Sequence, residues 1–133
     1  MGNPLPPIVL FLGPEEGDKH AAIKELRSAL RSRHGDELEE YSFYAFETAS
    51  EYVTSILQNG SLFGSAAFVR YRAVESLKRK EDIAPLKAYA AHPAAETVLV
   101  LESSEIQLHK DLEKAAGSQN KKIFWELFDN QKQ

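Results

Sequence analysis

Two stretches of this chain are apolar at nearly every position: Ile8-Val9-Leu10-Phe11-Leu12, and Thr97-Val98-Leu99-Val100-Leu101. A strand with one face in water alternates apolar and polar residues. A strand that is apolar at consecutive positions must be covered on both faces, as in the centre of a parallel sheet flanked by helices. Both runs are of strand length, far short of the roughly 20 residues a membrane-spanning helix needs. No positive region precedes the first run, so it does not read as a signal peptide, and the expected location is cytoplasmic.

The rest of the chain fits between and around these runs. Met1 to Pro7, with Pro4, Pro6 and Pro7, reads as an extended lead-in. After Ile8–Leu12, the segment Gly13-Pro14-Glu15-Glu16-Gly17-Asp18 breaks the strand. A helix over Lys19–Arg33 then places Ala22, Ile23, Leu26 and Leu30 at helical spacing. Glu39–Phe46 alternates, with Tyr41, Phe43 and Ala45 on one face, and predicts a second strand. Thr48 and Glu51 match a capping box, and the helix after them, carrying Tyr52, Val53, Ile56 and Leu57, is expected to stop at Asn59-Gly60.

A third strand is expected over Ala66–Val74. Asp82 caps a helix over Ile83–Ala91, which keeps Pro85 in the first turn. Thr97–Leu101 is the next strand. Leu108–Ala116 forms a short helix ended by Gly117, and Lys122–Leu127 forms a last strand with Phe124 and Trp125 in the core. Strands alternating with helices imply βαβ units: an α/β fold with a five-stranded parallel sheet and helices on both faces.

Composition removes several functions. The chain has 133 residues and no Cys, so disulfides and thiolate metal sites are excluded. Its four His (His20, His34, His92, His109) have no paired ligand spacing, and no metal site is expected. The net charge of -4 argues against a strong grip on nucleic acid, which relies on basic surface. Lys78-Arg79-Lys80 is the one basic cluster and reads as a solvated loop. Ser103 and Ser104 lack partners for a triad and read as a turn ending a strand. Glu102 and Glu105 could form an acid/base pair but read more simply as solvated carboxylates.

The loop after the first strand is where such folds cradle phosphate. Measured against G-x-x-x-x-G-K-[ST], Gly13 and Lys19 fall on the first Gly and the Lys. Asp18 replaces the second Gly and His20 replaces the hydroxyl residue that would hold Mg²⁺. Glu15, Glu16 and Asp18 bring three carboxylates to the spot. Two like charges ~4 Å apart repel by about 4 kcal/mol at an effective dielectric of 20. Gly13, Asp18, Lys19 and His20 therefore read as a degenerate P-loop with no nucleotide expected.

One further stretch stands out. In Asn59-Gly60-Ser61-Leu62-Phe63-Gly64-Ser65, two large apolar residues sit among turn residues. Leu62 and Phe63 either tuck onto their own sheet or project into a partner.

Three pieces in order resemble the N-terminal domain of the delta subunit of the bacterial DNA polymerase III clamp loader. They are Phe11-Leu12-Gly13-Pro14-Glu15-Glu16, Ser61-Leu62-Phe63-Gly64 leading into Phe68-Val69-Arg70, and Thr97-Val98-Leu99-Val100-Leu101-Glu102. The resemblance implies a RecA-like AAA+ domain that binds no ATP, needs no cofactor and is not an enzyme. It implies that residues 1–133 form one clamp-binding domain of a longer subunit, with lid and collar domains lying downstream. It also implies that the partners are the ring-shaped sliding clamp (beta subunit) and the other loader subunits. Leu62 and Phe63, flanked by Ser61 and Gly64, match the plug that enters the clamp and helps open the ring. Gly64 directly after the Phe departs from some relatives. The competing reading is a divergent P-loop hydrolase or kinase using Lys19 with Glu75 or Glu102. A signal-receiver domain is a weaker alternative, because the first and third strands do not end in Asp.

Overall fold

The two apolar runs are neighbours. In the computed structural model, which describes residues 5–62, 66–116 and 120–125 with residues 60–62 as backbone only, β1 (Ile8–Leu12) pairs in parallel with β4 (Thr97–Glu102). Ile8 lies opposite Leu99, and Leu10 opposite Leu101. Around this pair run α1 (Glu16–His34), β2 (Leu38–Tyr44), α2 (Ser50–Leu62), β3 (Ala66–Arg72), α3 (Lys80–Ala91), α4 (Lys110–Ala116) and β5 (Lys121–Ile123). The five strands form one parallel sheet in the order β2-β3-β4-β1-β5, as the alternation of strands and helices predicts.

Every residue of β1 and β4 is buried, because each face meets helices. Ile8, Leu10 and Leu12 join Val69, Tyr71, Leu99 and Leu101 against α2, α3 and α4, through Val53, Leu57, Ile83, Leu86, Tyr89 and Leu112. Val9 and Phe11 join Phe68, Val98, Val100 and Phe124 against α1, through Ile23 and Leu30. Each such side chain contributes about 1.5–3 kcal/mol on burial. The two buried tyrosines are satisfied: the Tyr71 hydroxyl donates to the Thr48 carbonyl at 2.6 Å, and the Tyr89 hydroxyl pairs with Thr97 Oγ1 at 2.9 Å.

Most element ends shift from expectation, each for a local reason. α1 begins at Glu16 rather than Lys19, because the Glu15 carboxylate caps it. β2 ends at Tyr44, whose carbonyl closes a turn by accepting from the Glu47 and Thr48 amides, both at 2.9 Å. The Thr48–Glu51 capping box does not form. The helix begins at Ser50, and the Ala49 carbonyl accepts from Tyr52 and Val53.

α2 also runs through Asn59-Gly60 to Leu62. A Gly inside a helix costs only about 1 kcal/mol, less than the burial of the Val53 and Leu57 anchors contributes. β3 stops at Arg72 because Ala73 takes a left-handed conformation at φ 60°, leading into a 3-10 turn over Val74–Ser76. α4 starts at Lys110, with the His109 ring accepting from the Asp111 amide at 3.1 Å.

The last strand spans only Lys121–Ile123, and Leu127 lies outside the described residues. Phe124 is core, but Trp125 is 55% exposed. Leu112, Ala116 and the partly buried Leu108 and Ile123 already fill the sheet face beneath α4, so Trp125 is left at the surface.

Asp82 does not cap α3. The helix starts at Lys80 with Arg79 at its N-cap, and the Arg79 guanidinium contacts the Asp82 carboxylate at 3.2 and 3.3 Å. The Lys78-Arg79-Lys80 cluster is thus an exposed helix lead-in, as the solvated reading expects. The earlier start puts Pro85 in the second turn, where it removes the bond to the Glu81 carbonyl. Replacing Pro85 with Ala is therefore expected to raise unfolding stability by about 1–3 kcal/mol in urea titration. An unchanged midpoint would show that the helix gains nothing from restoring that bond.

Candidate functional site

In a parallel sheet the ligand crevice opens at the carboxyl ends of the strands, where connections from neighbouring strands diverge. Here that point is between β1, whose helix leads toward β2, and β4, whose helix leads to β5. Gly13, Lys19, Glu102 and Ser103 converge on it.

The loop after β1 is filled by the protein's own groups. The Gly13 amide donates to the Glu105 carbonyl at 3.0 Å, and the Glu15 amide to the Phe124 carbonyl at 3.2 Å. The Gly17 and Asp18 amides both donate to the Glu15 carboxylate, at 3.1 and 2.6 Å. Pro14 has no N–H to offer. A helix N-terminus attracts an anion through its free amides and the positive end of its dipole. In this chain a carboxylate from the loop occupies that position.

Gly13 has the positive φ of 107° that a phosphate loop would use, but for another purpose. A Cβ there would lie 2.2 Å from the Phe124 carbonyl oxygen. The close approach lets the Phe124 amide reach the Leu12 carbonyl at 2.7 Å and carries the chain past β5.

Lys19 is 3% exposed. Its Nζ donates to the Gly13 carbonyl at 2.6 Å, the Ser103 carbonyl at 2.9 Å and the Glu16 carboxylate at 3.2 Å. An ammonium has three protons, and all three have acceptors. The lysine ties the loop after β1 to the loop after β4. Asp18 and His20 are exposed on the first turns of α1, and His20 borders a groove over Arg70.

The residues left open in sequence also find places. The Ser103 amide donates to the Phe11 carbonyl at 3.1 Å, and its hydroxyl accepts from the Glu105 amide at 2.9 Å, which is a strand-ending turn. Glu102 does not pair with Glu105 as an acid and base. It is buried and receives Arg70 in a two-point bond at 2.6 and 2.9 Å, with Arg72 at 3.7 Å. The hydrogen bond to Glu102 raises the Arg70 pKa, against the opposing effect of burial.

Sequence reading missed this cluster. Its signal was a Glu ending a buried strand, with Arg at two alternate positions of β3. Glu75 Oε1 is buried with no hydrogen-bond partner among the described residues. Two open hollows remain at the crevice: one of about 150 Å³, bordered by Glu16, Glu75 and Glu102 as well as Lys19 and Arg72, and one of about 360 Å³, bordered by Glu16, Lys19, His20, Arg70, Arg72 and Glu102. Among the described residues no group of three or more His, Asp or Glu could hold a metal ion, and no helix is long and apolar enough to cross a membrane.

The end of α2 and the start of β3 lie at the opposite end of the sheet, where the strands start. Ser61 and Leu62 continue the α2 backbone rather than forming a turn. Phe63 and Gly64 lie outside the described residues, as do the side chains of Ser61 and Leu62.

With this geometry in hand, the comparison with solved structures is decisive for the architecture. The Bacillus subtilis DNA clamp loader delta protein (YqeN) superposes with a TM-score of 0.66 over 91% of this chain. The chain shares its α/β fold with that clamp loader delta protein. The sequences are 19% identical, so the likeness is one of fold, and this chain spans 39% of that protein's length. No protein-family model matches the chain, and no curated protein matches it by sequence.

Gly13 and Gly17 predict unequal outcomes from matched substitutions. Gly13→Ala, facing the Phe124 carbonyl at positive φ, is expected to lose about 2 kcal/mol or more of stability. Gly17→Ala is expected to change it by about 1 kcal/mol or less, since its new Cβ meets only the flexible Glu15 side chain at 3.2 Å. Equal effects in denaturant titration would contradict the close approach at Gly13. Lys19→Met leaves two carbonyls without their donor and is expected to lose about 2–4 kcal/mol. A Met variant as stable as wild type would mean that Lys19 is not a structural tie.

Proposed function

We propose that this chain is the clamp-gripping, non-catalytic domain of a DNA clamp loader delta subunit, acting in DNA replication. On this reading residues 1–133 are the N-terminal domain of a longer protein whose lid and collar domains assemble with the other loader subunits in the cytoplasm. Leu62 and Phe63, presented between Ser61 and Gly64, enter an apolar pocket on the sliding clamp (the beta subunit) and help open the ring. The domain binds no nucleotide and carries out no chemistry itself.

The observation that carries this reading is a clamp-loader delta fold whose phosphate cradle is filled from within. The Glu15 carboxylate takes the anion position of α1, and Lys19 is bonded to two carbonyls and a carboxylate. A nucleotide hydrolase would need those groups free. The likeness to the delta protein supports a role in clamp loading, and the place of Leu62 at the end of the α2 backbone, at the amino end of the strands, is consistent with presentation to a partner. Two apolar anchors entering a dry pocket suit a module that grips without reacting.

Binding to the purified sliding clamp of the same organism tests this. Leu62→Ala/Phe63→Ala is expected to weaken binding at least about 100-fold without changing the melting temperature, since each anchor contributes about 1.5–3 kcal/mol. Millimolar Mg²⁺–ATP is expected to leave the melting temperature of the wild type unchanged, because only a bound ligand shifts it. Clamp binding that survives the double substitution would refute the plug. A clear nucleotide-dependent shift lost in Lys19→Ala would favour the hydrolase reading instead.

A further inference from the structure

The far edge of the sheet points to a second interaction surface, independent of the proposed clamp contact. β2 pairs with β3 in unbroken register from Leu38 opposite Ala66 to Tyr44 opposite Arg72, and its other side faces outward. Which peptides face outward follows from the ends. The Ala45 amide donates to the Arg72 carbonyl at 2.8 Å, so the odd-numbered peptides point toward β3. The Leu38 amide turns to the Gly35 carbonyl, and the Tyr44 carbonyl to Glu47 and Thr48. By alternation, the peptides of Glu40 and Ser42 point away from the sheet. Among the described residues no backbone group outside the sheet bonds to them. β2 also lacks the proline, lysine or bulge that commonly blunts an edge strand.

The flank of this edge has a definite chemistry. The Tyr41 ring stacks on Phe43 at 6.0 Å, and Phe43 meets Tyr52 edge-on at 5.9 Å. Just beyond, Tyr44 lies against Phe46 at 5.1 Å. Tyr52 is 57% and Phe46 65% exposed. Glu39, Glu47 and Glu51 accompany these rings and have no cation within 4.0 Å among the described residues. Glu40, on the α1 side, already has Arg27 and Arg31 at 3.6 and 2.9 Å.

We propose that the outer edge of β2 receives an extended segment of a partner protein, in which basic residues alternate with apolar ones. The Glu40 and Ser42 peptides would bond to its backbone, as in strand addition to an open sheet. Its apolar side chains would cover the Tyr41, Phe43 and Tyr52 rings. Its Lys or Arg side chains would meet Glu39, Glu47 and Glu51 and the aromatic faces, where a cation is favoured twice over. The same carboxylates repel a nucleic-acid phosphate. They also disfavour a second copy of this chain, which would bring an identical acidic edge.

Selection of phage-displayed random peptides on the full chain tests this. The enriched peptides are expected to alternate Lys or Arg with Val, Ile or aromatic residues. Their binding should fall at least about tenfold on Ser42→Pro, which removes an outward donor without touching the β3 ladder. Glu39→Lys/Glu51→Lys should abolish the basic preference. In the wild type, a selected peptide should slow hydrogen exchange of the Glu40 and Ser42 amides, which are open in the free chain. The proposal is overturned if no peptides are enriched, if they lack the alternation, or if they leave those two amides exchanging freely. Concentration-dependent dimerisation lost in Ser42→Pro would overturn it as well, by assigning the edge to a second copy.

Discussion

The buried ammonium of Lys19 holds the carboxyl ends of the sheet together. It bonds to carbonyls from two loops that are 90 residues apart in sequence, Gly13 and Ser103, and to the carboxylate of Glu16. β1 and β4 are side by side, but their exits lead in opposite directions, and two diverging loops at a switch point would ordinarily leave a cleft. A single cation with three acceptors closes that cleft from below. Burying a charge is costly unless it is fully bonded. The Lys19 site therefore requires both loops to keep their conformations, including the left-handed Gly13.

Around this tie, the same end of the sheet fills its anion position with the protein's own groups. Glu15 caps α1, Phe124 lies against Gly13, and Glu102 neutralises Arg70 and Arg72. Each contact uses a group that a phosphate would otherwise engage. The hydrogen-bonding capacity of the loop after β1 is turned inward. Such a domain can serve as a rigid body whose function lies on its surface. That is how the likeness to a clamp loader delta protein becomes physically intelligible.

The surface features lie away from this crevice. The end of α2 is at the amino end of the strands, and the aromatic and acidic flank of β2 is at the sheet's edge. A domain with a dense core can commit both regions to partners without disturbing the sheet, because neither carries the β1–β4 pairing.

The sequence by itself determined the architecture. Two runs apolar at consecutive positions can be buried on both faces only at the centre of a parallel sheet, and the helical spacing between the strands left little choice of fold class. It also showed that Asp18 and His20 depart from the G-x-x-x-x-G-K-[ST] pattern, whatever their surroundings. What it could not show was why the loop is closed. Lys19 meets Ser103 across the sheet, and Gly13 is needed because Phe124 passes within contact of it; neither fact leaves a local trace. Element ends were misjudged for the same reason. Pro85, Thr48 and Gly60 carry local preferences of about 1–3 kcal/mol, and packing of Ile83, Leu57 and Tyr71 against the sheet outweighs them. Trp125 was read as core from its composition alone, but only the tertiary structure decides which of two adjacent aromatic residues finds room, and that place went to Phe124.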